Sequence, residues 1–123
     1  MNKENKIEIE LSYLKEVASD NTEFIIEMID IFLAQTPDYV QSLSTAVETS
    51  NWSKIAEMAH KIKPTLAFMG VNEARDKMAS IETRARDKES YEEIVADFRD
   101  LKSDLDMIFI KLSEKRKELL ATD

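Results

Sequence analysis

The 123-residue chain holds a single histidine, His60, and a lysine, Lys63, follows it three positions later. Imidazole has an ordinary pKa near 6.5, so at neutral pH one ring nitrogen of most molecules keeps a free lone pair. Such a nitrogen can attack phosphorus. The phosphoramidate formed would carry about two negative charges, which a nearby ammonium can offset as a point charge. On a helix, residues three apart are neighbours, so Lys63 is within reach of anything attached to the His60 ring. The competing reading is an ordinary surface histidine. Residue types nearby favour the first reading. Ala56 and Ala67 are small, and residues 51–70 carry Lys54, Lys61 and Lys63 against Glu57 alone. This is the one locally positive stretch in a chain of net charge −8.

The composition removes most other chemistry. Without cysteine there is no disulfide, zinc–thiolate site or cysteine nucleophile. One histidine rules out two-histidine metal sites and the helical HExxH motif. No glycine-rich loop exists to cradle ATP, so a self-sufficient kinase is excluded and no bound cofactor is expected. The acidic balance, 17 basic against 25 acidic residues, disfavours a nucleic-acid partner. The N-terminus lacks the apolar run of a signal peptide, and no stretch is long and apolar enough to span a bilayer, so a cytoplasmic protein is expected. Glu92, Glu93, Asp104 and Asp106 read as solvated helix-face acids. Met28, Met58, Met69 and Met78 read as gap-fillers.

These residues need helices to position them. A single glycine leaves little for the tight turns of β-rich folds, and apolar residues recur at helical spacing throughout. The brief alternation Ile7-Glu8-Ile9-Glu10 is too short to found a sheet. A short helix is predicted over Leu11–Ala18, with Leu11, Leu14 and Val17 or Ala18 on one side. Asp20 with Glu23 resembles a capping box for a second helix, whose stripe runs through Phe24, Met28, Ile31 and Phe32 to Val40, Leu43 and Val47. Thr36-Pro37 predicts a kink or a fresh helix start.

Asn51 caps a third helix, and Gly70 would end it as a left-handed residue. On a helical wheel Ala59, Ile62 and Leu66 fall within about 40° of Ile55, whereas His60 lies about 140° from Ile55, towards solvent. Ala74, Met78, Ile81 and Ala85 mark a fourth helix, with Glu82 on its shoulder. Ser90 and Glu93 form a second capping-box pattern, before Ile94, Phe98, Leu101, Leu105, Ile108 and Leu112 at alternating steps of four and three. That seam implies near-antiparallel packing, and Lys115-Arg116-Lys117 at its end would project into solvent. The expected architecture is all-α: an up-and-down four-helix bundle over residues 11–120, with a short additional N-terminal helix and an N-terminal extension over 1–10.

The string Ala59-His60-Lys61-Ile62-Lys63-Pro64-Thr65-Leu66-Ala67-Phe68-Met69-Gly70 resembles the histidine-containing phosphotransfer (HPt) domain family, whose motif is His, Lys three residues later, a small residue next, and Gly ten after the His. The resemblance extends from about Leu11 to Leu112. It implies a phosphoryl carrier that exchanges the group between His60 and aspartates of response-regulator receiver domains, which dock over the third and fourth helices. Mg²⁺ and most catalytic groups would then belong to the receiver, and the chain is expected to be a monomer. Lys63 would neutralise the phosphate, while Ala56, Pro64, Ala67, Phe68 and Gly70 would shape the docking face. Two positions depart from the family pattern. Pro64 stands where glycine is common, removing the amide that would bond the His60 carbonyl. Glu82 stands where several relatives carry glutamine. It could hold the imidazole N–H, pair with Lys63, or remain a solvated glutamate paired with Arg86. Outside the resemblance, a helical adaptor using the residue 94–119 seam, with His60 incidental, remains the alternative.

Overall fold

A computed structural model of the chain describes residues 9–121. Among these, five helices follow one another: α1 (Ser12–Val17), α2 (Thr22–Glu48), α3 (Trp52–Phe68), α4 (Asn72–Asp87) and α5 (Tyr91–Ala121). Helix α2 packs on α3, α3 on α4, α4 on α5 and α5 back on α2, which closes a ring of four around one apolar core. The α3–α4 contact is the most extensive. Helix α1 adds Leu11 and Leu14 to the same core. The expected all-α bundle with its extra short helix is the observed one. Ile7 and Glu8, half of the alternating segment, lie outside the described residues, and no strand occurs within them.

Asparagine starts two of the helices. The Asn21 side chain accepts from the Phe24 amide, and that of Asn51 accepts from the Lys54 amide, each at 3.1 Å. Each bond satisfies one of the amides that a helix start leaves unpaired. Asp20 is therefore not the cap. It stands in the left-handed region (φ 59°) and closes the turn after α1, whereas Asn21 has the extended conformation that capping needs. Ser90 is likewise left-handed, and Glu93 reaches 3.0 Å to Arg84 instead of back to its own helix start.

The α2 stripe also differs from expectation. Ile25, Ile26, Ile29 and Phe32 are buried, while Phe24 and Ile31 are 38 % and 46 % exposed. Apolar residues occur on both flanks here, so periodicity alone left the phase of the stripe open, and packing against α3 and α5 chose it. Thr36-Pro37 neither ends nor restarts the helix, which runs unbroken from Thr22 to Glu48. In α1 the side of Leu11 and Leu14 is completed by Ala18, whereas Val17 is half exposed.

All six seam residues of α5 are buried against this chain's own helices. The seam is thus consumed by the core and offers no free coiled-coil edge. Nor does its end hang free, because Arg116 pairs with Asp30 of α2 and Leu119 packs on the core. Asp104 is not a solvated acid; it takes Lys77 of α4 at 3.1 Å, and Arg84 of α4 holds Glu93 and Asp97 of α5. Met58, Met69 and Met78 lie in the core, and Met28 packs at its edge.

Candidate functional site

The α3 stripe of Ile55, Ala59, Ile62 and Leu66 is fully buried, and this fixes the rotation of the helix. Its opposite shoulder carries His60 outward, with a side chain that is 65 % exposed. On α4, burial of Ala74, Met78, Ile81 and Ala85 turns Glu82 towards α3. The outcome is a glutamate residue only 5 % exposed, an unusual place for this side chain unless it is paired.

Glu82 is paired three times. Its Oε1 accepts from Lys63 Nζ at 2.8 Å, and its Oε2 lies 2.9 Å from His60 Nδ1 and 2.6 Å from an Arg86 guanidinium nitrogen. The three partners left open by the sequence are all engaged together, and the glutamate is not solvated. Burial pushes this carboxyl up. The hydrogen bonds from Lys63 and His60, with the charges of Lys63 and Arg86, outweigh it and hold the group below its ordinary value of 4.5. Glu82 is therefore ionised at neutral pH and can only accept. In the neutral imidazole the hydrogen on the His60–Glu82 bond must then sit on Nδ1, and the lone pair is on Nε2 of the exposed ring.

The remaining residues divide along α3. Ala56 is buried, at the base of a shallow groove whose rim includes Trp52, Glu57 and Arg86. Pro64 is exposed, and Ala67 and Phe68 are half-buried; all three line an open cleft shared with Tyr13, Asn72 and Arg75. Pro64 and Phe68 also wall an apolar cleft of about 270 Å³ between α2 and α3, with Met28, Ile31 and Thr36 opposite. The Thr36 hydroxyl is buried there without a hydrogen-bond partner. Met69 faces the core and not the surface. Helix α3 continues through Pro64 without a break.

Gly70 lies ten residues beyond His60, about 15 Å along the axis, and does not meet the ring. It holds the α3–α4 turn with φ +73°, and a Cβ there would fall 1.7 Å from the Glu10 carbonyl oxygen. Arg86 is the residue that sequence reading undervalued. Its i+4 spacing from Glu82 was visible, but not that the shared oxygen also holds His60. Among the described residues no cluster of three or more acidic or histidine side chains is arranged to hold a metal ion.

The sequence matches the family model of the Hpt domain over residues 27–108. Two solved structures share the fold. Histidine-containing phosphotransfer protein B (HptB) from Pseudomonas aeruginosa PAO1 superposes with a TM-score of 0.75 at 20 % identity, over 88 % of this chain and 90 % of that one. The HPT domain of the Hpt sensor hybrid histidine kinase from Shewanella superposes with a TM-score of 0.71 at 16 % identity, over 94 % and 95 %. The comparison with curated proteins gave no match.

Proposed function

The chain belongs to the Hpt domain family, the histidine phosphotransfer modules of two-component phosphorelays, and from that premise we propose that His60 is the residue that carries the phosphoryl group. Members of this family carry phosphoryl groups and are not kinases, and their exchange partners are receiver domains. The observation that supports His60 is the pairing of Nδ1 with an ionised, buried carboxylate beneath an exposed ring.

In this reading the Nε2 lone pair attacks the phosphorus of a receiver's aspartyl phosphate. The N–P bond forms as the P–O bond breaks, and the aspartate leaves as a carboxylate with the bonding electrons. Onward transfer is the same step in reverse, on a second receiver. Lys63 offsets the phosphoryl charge from one helical turn away. The exposed shoulder of α3, with Ala56 and Arg86 on one side and Pro64, Ala67 and Phe68 on the other, receives the partner. Gly70 shapes that face indirectly, by holding the turn that sets α3 against α4. No ATP site of its own is needed, because the phosphoryl group arrives already activated. The chain acts as a monomer in the cytoplasm. The α5 seam supports this, since it is occupied within the chain, and no helix among the described residues is long and apolar enough to cross a membrane.

The test is transfer from a phosphorylated receiver domain. Wild type should acquire an acid-labile, alkali-stable phosphoryl group, and His60→Gln should acquire none. Lys63→Ala should slow transfer by about ten- to a hundredfold, as expected for loss of a charge-assisted contact of about 1.5–3 kcal/mol. Equal labelling of His60→Gln would end the reading, and an unchanged rate in Lys63→Ala would remove Lys63 from it.

A further inference from the structure

An amide in the place of Glu82 could turn its NH₂ towards Nδ1 and donate; an ionised carboxylate cannot. The difference matters after phosphorylation. When neutral imidazole attacks through Nε2, the Nδ1 proton stays on the ring, and the product is an imidazolium bearing phosphorus. Loss of that proton gives a neutral phosphoramidate with a lone pair on Nδ1. The neutral form is the poorer donor, because breaking its N–P bond would expel an imidazolate, whereas the protonated form expels neutral imidazole.

Resting on the reading that His60 carries the phosphoryl group, we propose that Glu82 keeps Nδ1 protonated in the phosphorylated state, so that the group is held in its transferable form and not as a stable store. A lone pair on Nδ1 would face the buried Glu82 carboxylate at hydrogen-bond distance, acceptor against acceptor. A proton on Nδ1 turns that repulsion into an ion pair. The charges around the ring agree. Lys63 comes from α3 itself, and Glu82 and Arg86 come from α4. Glu57, three residues earlier on α3, is taken by Lys54, and α2 meets this helix at Lys61, which lies over the Tyr39 ring. With the imidazolium counted, three positive groups offset Glu82 and a dianionic phosphoryl group. With Nδ1 deprotonated, the cluster would carry a net negative charge. Transfer in either direction then moves no proton to or from water. Glu82 acts as a positioning residue, through the ring and not on the phosphorus.

The sole histidine makes the test direct, since the imidazole signals of ¹⁵N-labelled chain come from one residue and only Nδ1 and Nε2, one of them bonded to phosphorus, need telling apart. The full chain is phosphorylated with phosphoramidate, which needs no receiver, and Nδ1 protonation is followed by NMR from mildly acidic to mildly alkaline pH. In wild type Nδ1 should remain protonated through neutrality. In Glu82→Gln the titration should move down by about one pH unit or more, a tenfold change in proton affinity. The phosphoryl half-life of the variant should lengthen relative to wild type as pH rises past the variant's titration midpoint, approaching the same tenfold factor where both rings are mostly deprotonated. Coincident titrations in the two proteins, or a wild-type ring already deprotonated at neutral pH, would overturn the proposal. Onward transfer to receiver domains is scored separately. Its absence alongside a shifted titration would overturn the relay reading while supporting the role of Glu82.

Discussion

Glu82 is the residue on which the site turns. Its three partners come from two helices, and they hold an ionised carboxylate where burial would otherwise oppose it. A consequence for stability follows by linkage. The carboxyl titrates lower in the folded chain than its ordinary 4.5, so it binds fewer protons folded than unfolded as pH drops through that value. Its stabilising contribution is complete above the unfolded-state value and is lost as pH falls through the lower folded one. Urea midpoints should therefore place Glu82→Gln below wild type near pH 7, with the gap narrowing as pH falls below 4.5. A gap that stayed constant across this range would mean that the pairing adds no pH-dependent stability. The sequence showed His60 and Lys63 at helical spacing and put Glu82 on a shoulder. It did not show that Glu82 is buried, because burial depends on how closely α4 approaches α3.

The helices α1 to α4 end in the same way. After each last turn, two amides return to the carbonyls three and five residues back: Ser19 and Asp20 after α1, Ser50 and Asn51 after α2, Gly70 and Val71 after α3, Lys88 and Glu89 after α4. The first residue of each pair is left-handed, and only one of the four is glycine. The motif by itself therefore does not explain why glycine stands at 70. The Glu10 carbonyl does, because it occupies the space a Cβ would fill at 70. Two substitutions separate these causes in urea denaturation. Ser50→Gly should stabilise the chain by about 1 kcal/mol, the relief of one left-handed side chain. Gly70→Ala should cost more than the roughly 1–2 kcal/mol of backbone strain alone, since the Glu10 segment must also move. A loss equal to the strain alone would mean that the segment yields freely. Reading Gly70 as a helix stop needed only the sequence. Its second constraint comes from a segment sixty residues away in the chain, which no local pattern encodes.

Across the whole molecule one core joins all five helices, and Leu14 of the six-residue α1 is as fully buried as Leu101 of α5. Helix α1 is too short to be stable alone, so it exists by virtue of that packing. Tyr13 set edge-on to Phe68 and the Glu10–Gly70 backbone bond tie the same end of the bundle. At the opposite end the Tyr91 hydroxyl donates to the Val47 carbonyl, and its ring meets Trp52. The expectation is a single cooperative transition. Leu14→Ala should lower the melting point of α1 and the bundle together, with a loss of about 2–5 kcal/mol and coincident near- and far-ultraviolet curves. An early partial transition would show α1 to be an appendage. The sequence by itself determined the helices, their caps at Asn51 and Gly70, the α3 to α5 stripes and the spacing of His60 and Lys63 on one helix, because these depend on residue type and on spacing within a few turns. Only the tertiary structure decided the phase of α2, the continuity through Pro37, and the joining of Lys63, His60 and Arg86 on one buried carboxylate. Those depend on which surfaces meet, and a helix with apolar residues on two flanks, or a glutamate on a shoulder, is compatible with more than one answer until its neighbours are in place.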